Sequence, residues 1–279
     1  MTWGLRIAGT IAILVAVSST LGAQWPSYPT PGVPRTADGM PILDAPTPRT
    51  ADGTVDFSGI WVRGGGGGGR GRGGTPAPTT TPDGIPLSGF GEVAGRGYAL
   101  PLQPWAAELK KKRMADNSKD NPDVWCLPIG LMQYHNHPQP RQIVQTRNLI
   151  LITYESNYGL RYIYMDGRPA PNNDPQPWWF GYSRGWFEGD TLVVETTNFL
   201  GDERAGWLDV NGSPYTDALK MTERFRRPNF GTLEIDVTID DAKAYTKPFT
   251  VRVNQRIMVD QEMMEFICNE NEQSTKHIQ

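Results

Sequence analysis

Residues 178–199, WWFGYSRGWFEGDTLVVETTNF, read as two strands folded back on one tight turn at Glu188-Gly189-Asp190. Aromatic side chains crowd the first half, and β-branched residues fill the second from Thr191 to Thr197. Both kinds favour a pleated, half-buried surface, and the Gly-Asp step between them signals a hairpin.

The same pattern repeats outward from this hairpin. A first strand is expected at 56–62, DFSGIWV, and others at 142–146, 149–155, 160–165, 218–227, 232–239, 249–256 and 258–268. Turn signals divide them, among them Arg147-Asn148, Asp166-Gly167-Arg168-Pro169, Pro228-Asn229-Phe230-Gly231 and Asp240-Asp241. Many short strands joined by tight turns predict an all-β fold: an antiparallel meander closed into a barrel, with a β-sandwich as the alternative. Period-two alternation assigns the faces. Leu233, Ile235, Val237 and Ile239 lie on one side of their strand, with Glu234, Asp236 and Thr238 on the other. In 218–227, Leu219, Met221, Glu223 and Phe225 share a face, so Glu223 sits among apolar residues. A carboxylate there is costly unless it is paired or hydrogen-bonded. It is either held by an inward arginine or faces a ligand.

At 279 residues the chain is long enough for a substantial core, and one domain is expected. Charged residues make up 20% and the net charge is −3, which leaves no basic footprint for a nucleic-acid partner. The run Lys110-Lys111-Lys112-Arg113 reads as the solvated face of a helix. That helix is expected over about 103–115: Pro104 suits a first turn, and Trp105, Leu109 and Lys112 fall along one side.

Arg6, the apolar run from Ile7 to Val17 and the small residues up to Ala23 have the layout of a secretory signal peptide over 1–23, with a retained anchor as the alternative. The apolar run is shorter than the ~20 residues of a membrane span, and no later stretch is long enough for one. Residues 24–55 form a Pro-rich extended arm in which Thr-Ala-Asp-Gly occurs at 36–39 and again at 50–53. The domain proper is expected over 56–279. It is interrupted at 63–82 by a Gly/Pro-rich insert containing six consecutive glycines, which reads as a flexible loop. Cys126 and Cys268 are the only cysteines, and export to an oxidising compartment allows a disulfide between them, with free thiols as the alternative.

Gly59-Ile60-Trp61, on a first strand after an extended arm, resembles the G-x-W signature of lipocalins and other calycin barrels. That resemblance implies a tryptophan plugging the closed end of the barrel beneath an arginine from a late strand, here Arg252 or Arg256. A longer set of motifs is similar to a family of exported proteins common in soil acidobacteria and proteobacteria. It comprises Cys126-Leu127-Pro128, Gln142-Ile143-Val144-Gln145, Asp166-Gly167-Arg168-Pro169, the segment 186–194, Glu223-Arg224-Phe225 and the segment 268–272. It covers residues 57–279 and implies a bacterial periplasmic or secreted protein, but carries over no catalytic residues.

Three constellations are candidates for chemistry. Tyr134-His135-Asn136-His137-Pro138, if extended, points His135 and His137 the same way, as ligands for a divalent metal; a polar loop is the alternative. No other cofactor is expected. Arg168 with Trp178, Trp179, Tyr182 and Trp186 suits a flat or carboxylated organic ligand or a sugar face, against a plain hydrophobic core with a surface arginine. Glu223 with Glu155 or Asp209 offers an acid and a base for a hydrolase, lyase or isomerase. With no G-x-S-x-G and only three histidines, a nucleophilic triad is not expected. The leading expectation is an exported barrel that binds a small organic molecule in an aromatic-lined cavity, with Arg168 and Glu223 as polar anchors. An enzyme on the same scaffold and an envelope structural protein are the alternatives.

Overall fold

The computed structural model describes residues 28–64, 100–171 and 177–270. The expected signal peptide, most of the glycine-rich insert and His277 lie outside the described residues. The chain forms β1 (Gly59–Arg63), α1 (Pro104–Ala115), α2 (Leu131–Asn136), β2 (Arg141–Gln145), β3 (Leu149–Tyr154), β4 (Leu160–Tyr164), β5 (Tyr182–Glu188), β6 (Thr191–Thr197), β7 (Lys220–Asn229), β8 (Thr232–Asp240) and β9 (Phe249–Met258). Each strand pairs with the next, and β9 returns to β1, so the sheet is a closed barrel and the sandwich is excluded.

Nine strands in a ring cannot alternate direction all the way round. The mismatch falls between β4 and β5, which run parallel and pair only at Ile163↔Ser183 and Tyr164↔Arg184. The meander is therefore mixed rather than wholly antiparallel. A parallel neighbour needs a long return connection, and residues 165–181 supply it. Next in the chain, β5 and β6 make the expected hairpin: Glu188 faces Thr191 across the turn, with Gly189 at φ 59°.

Two expected strands differ. The one at 178–187 begins only at Tyr182, because Gly181 turns the chain at φ 66°. The one at 258–268 does not form: past Met258 the chain is irregular, with Asp260 at φ 59°. This tail is fastened by the Cys126–Cys268 disulfide, Cα to Cα 5.5 Å.

Alternation along the strands fills the barrel with side chains. Met221, Glu223, Phe225 and Arg227 of β7 point inward, as do Leu233, Ile235, Val237 and Ile239 of β8 and Val251, Val253, Gln255 and Ile257 of β9. The lower end, where β1, β3, β6 and β8 begin, is plugged by Trp61, whose indole donates to Phe57 O at 3.0 Å. The arm closes this end: Phe230 N donates to Ala45 O and Gly231 N to Leu43 O. An arginine does lie on Trp61, but it is Arg227, 4.8 Å from the ring, rather than Arg252 or Arg256. Both of those occupy outward positions on β9, where Arg252 pairs with Asp236.

Helix α1 forms where expected, but its buried residues are Ala106 and Arg113, while Trp105 is exposed. Arg113 thus departs from the solvated run expected of it. Its guanidinium donates to Gly206 O at 2.9 Å and lies 3.9 Å over Trp207.

Candidate functional site

The upper end of the barrel carries its polar groups. Inward positions there are Arg141 (β2), Tyr154 (β3), Arg161 (β4), Ser183 (β5), Thr196 (β6) and Glu223 (β7), all buried. Helix α2 covers them and lowers His135, fully buried, into their midst. Glu223 therefore has the inward arginine its position calls for. Arg161 grips both its carboxylate oxygens, through Nη1 at 3.0 Å and through a close Nη2 contact. The rest of the guanidinium donates to Ser183 Oγ at 3.0 Å and Thr196 Oγ1 at 2.9 Å.

Hydrogen-bond directions fix the tautomer of His135. Arg141 Nη1, a donor only, lies 2.7 Å from Nδ1, so Nδ1 accepts. The ring's proton is then on Nε2, which donates to Glu223 Oε1 at 2.6 Å. Burial, helped by the charges of Arg141 and Arg161, outweighs the Glu223 bond and brings the imidazole down to about 4. Burial alone would raise Glu223, but the Arg161 charge and the bonds from His135 and Arg161 hold it at about 2. Burial also lowers Arg141, to about 10, which leaves it charged at neutral pH.

Beside this cluster lies the shortest ladder of the barrel wall. Because β4 and β5 pair only near the end of β4, the edge of residues 160–162 is not joined to β5. A cleft of about 390 Å³ lies at this seam, lined by Leu160, Tyr162, Tyr164, Trp178, Trp179, Phe180 and Tyr182, with Arg161 and Ser183 of the buried cluster also contributing. Trp178 is held there by backbone bonds to Asn198 O and from Leu200 N. The rings form a continuous series: Tyr162 stacks towards Tyr164, Tyr164 on Tyr182 at 5.0 Å, and Trp178 lies 5.3 Å from Tyr182. Arg168, tied to Asp166, lies 4.0 Å over Tyr164 at the rim.

Comparison with family models, curated proteins and solved structures returns no match. What the site can do rests on its own geometry.

The expected site residues are thus divided. Trp178, Trp179 and Tyr182 line one cleft, which lies at the seam between β4 and β5 rather than at the barrel mouth. Trp186 does not join them; it faces outward on β5, 42% exposed, and donates to Glu188. Glu223 lies behind the cleft, clasped by Arg161 and His135. Glu155 instead accepts from Met264 N at 2.9 Å, and Asp209 from Ser213 N and Oγ. The three carboxylates serve separate partners.

His135 and His137 are likewise parted. Residues 131–136 are helical, not extended, so His135 points into the barrel while His137, just past the helix, has Nε2 3.6 Å from Asp123. Among the described residues no group of three or more His, Cys, Asp or Glu is arranged to hold a metal ion. Sequence reasoning did not single out Arg141, Tyr154 or Arg161. Period-two alternation with Ile143, Ile152 and Ile163, all inward, is the signal that would have found them.

Proposed function

We propose that this chain is an exported barrel that binds a small organic molecule, and that the ligand enters at the seam between β4 and β5 with its flat or apolar part against Trp178, Trp179, Phe180 and Tyr162. The observation that carries this reading is the coincidence of three features: the weakest seam of the barrel, an aromatic-lined cleft of ligand size, and a charged cluster behind it. Clefts of about 300–1,000 Å³ with apolar walls and a few fixed polar groups are what small ligands occupy. Trp179, whose indole N–H is buried without an acceptor, is one of the lining residues. The disulfide supports export, since such bonds persist in oxidising compartments. An enzyme built on Glu223 with Glu155 or Asp209 is less well supported, because each carboxylate is already engaged by a different partner.

Calorimetric titration with a panel of neutral and charged single-ring compounds tests the reading. Saturable binding that disappears in Trp179→Ala, with the variant still folded, is expected. No saturable binding by any member of the panel, or binding indifferent to Trp179→Ala, would overturn it.

A further inference from the structure

The buried cluster is not electrically balanced. Arg141 and Arg161 are both cationic, Glu223 supplies the anionic charge that Arg161 grips, and the His135 tautomer set by Arg141 is neutral. That leaves an excess positive charge in a region closed to solvent, where an uncompensated ion is costly. The hydrogen bonds are unbalanced in the same direction. Arg141 Nε and the hydroxyl of Tyr154 are buried without an acceptor, although the Tyr154 oxygen faces both guanidiniums. Two donors and one surplus cation lack the same thing, an anionic acceptor.

A series of rings links these groups to the cleft. Tyr154 stacks on Tyr134 at 4.1 Å, and Tyr134 lies 5.7 Å from Phe180, one of the rings that line it. Arg161 belongs to both the cleft lining and the cluster.

We propose that the ligand is an organic acid: its body lies in the cleft and its carboxylate reaches inward to Arg141, Arg161 and Tyr154. This rests on the cleft being the ligand site. A carboxylate accepts several hydrogen bonds and matches the fork of a guanidinium, so it satisfies the Tyr154 hydroxyl and Arg141 Nε while neutralising the surplus charge. A neutral ligand of the same shape satisfies neither demand.

The test is calorimetric titration and thermal denaturation of the intact protein with sodium benzoate, benzamide and sodium acetate, in the wild type, Tyr154→Phe and Trp179→Ala. Benzoate is expected to bind at least about ten-fold more tightly than benzamide, the usual worth of a charge-assisted hydrogen bond. Tyr154→Phe is expected to leave the melting temperature of the free protein unchanged or higher, because it removes an unsatisfied hydroxyl, and to reduce the preference for benzoate several-fold without abolishing it, because Arg141 and Arg161 remain. Equal binding of benzoate and benzamide, both lost in Trp179→Ala, would overturn the carboxylate assignment while leaving the cleft as the ligand site. Binding of neither would take both readings down. A stabilisation by acetate as large as that by benzoate, persisting in Trp179→Ala, would put a free small anion at the cluster and overturn the placement of the ligand's body. A Tyr154→Phe variant that melts lower and keeps the full benzoate preference would make the tyrosine a packing residue and overturn its role.

Discussion

His135 Nε2 stands 2.6 Å from Glu223 Oε1, and neither side chain is reached by solvent. The contact joins α2 to β7 across 88 residues of sequence, so the helix is locked over the upper end of the barrel by a polar bond rather than by apolar packing alone. Both partners have pKa values well below those of exposed groups, and this ties the stability of the lid to pH.

The imidazole, held at about 4, lies below the ~6.5 of an exposed histidine. Between these values the unfolded chain binds a proton that the native chain refuses, so stability is full above about pH 6.5 and is lost as pH falls towards 4. The loss is on the order of 3 kcal/mol. Glu223, held at about 2, adds a second loss that begins only below the ~4.3 of a free glutamate. Urea unfolding at closely spaced pH values should show the first decline in the wild type and little of it in His135→Gln. An equal slope between pH 6.5 and 4 in both proteins would show that His135 is not its source.

Arg227 makes the second lock, at the lower end. It donates to Asp56 O at 2.5 Å and to Phe230 O at 2.7 Å while lying on the Trp61 ring, and it is buried. Lysine cannot reproduce a planar fork serving carbonyls on two segments. Arg227→Lys should cost about 1–3 kcal/mol in chemical denaturation. Arg252→Lys and Arg256→Lys, on the outer face, should each cost less than about 1 kcal/mol. A reversed order of costs would mean that the plug does not depend on Arg227.

The inward setting of Arg227 was within reach of the sequence, since it continues the alternation Leu219, Met221, Glu223, Phe225 by one more step. The same rule exposed Glu223 as a buried carboxylate in need of an arginine. It misleads on β4, where the outward residues Leu160, Tyr162 and Tyr164 are more apolar than the inward Arg161. The returning 165–181 connection explains this, because its end brings Trp178, Trp179 and Phe180 against that outer face. Helix α2 escaped for a different reason. All six of its residues are buried, so it has no polar face to generate a helical period, and the chain there reads as a loop. Strands such as β8 were legible because apolar and polar residues alternate along them; the parallel seam was not, because it follows from the parity of the whole ring.

The Cys126–Cys268 bond closes a loop spanning 142 residues and fastens the irregular tail beyond β9 to the turn after α1. Cross-linking so long a loop restricts the unfolded chain, and its loss should cost about 2–5 kcal/mol. Denaturation with and without reductant measures this. Hydrogen exchange adds a local readout: the amide of Met264, bonded to Glu155, should lose protection in the double variant Cys126→Ala/Cys268→Ala before the barrel amides do. Unchanged protection there would show that the tail is held without the disulfide.

Gly159 links stability to the cleft. Its φ of −59° is open to any residue, so backbone strain is not why a glycine stands here. Space is the reason: a Cβ would come within 2.7 Å of the Tyr134 ring and hydroxyl and 2.9 Å of Tyr154 Cδ2. Those rings are stacked on each other and packed towards Phe180, so none yields without disturbing the next. Gly159→Ala should therefore cost about 1–3 kcal/mol, the range for overpacking a buried contact, and should also weaken binding of ring compounds in the cleft. Gly167→Ala is the matched control. It strains a φ of 76° and costs about 1 kcal/mol, but its Cβ meets nothing, so cleft binding should survive it. If both variants lose binding equally, destabilisation alone is responsible. If Gly159→Ala keeps full affinity while melting lower, the tyrosine pair supports the barrel without shaping the cleft.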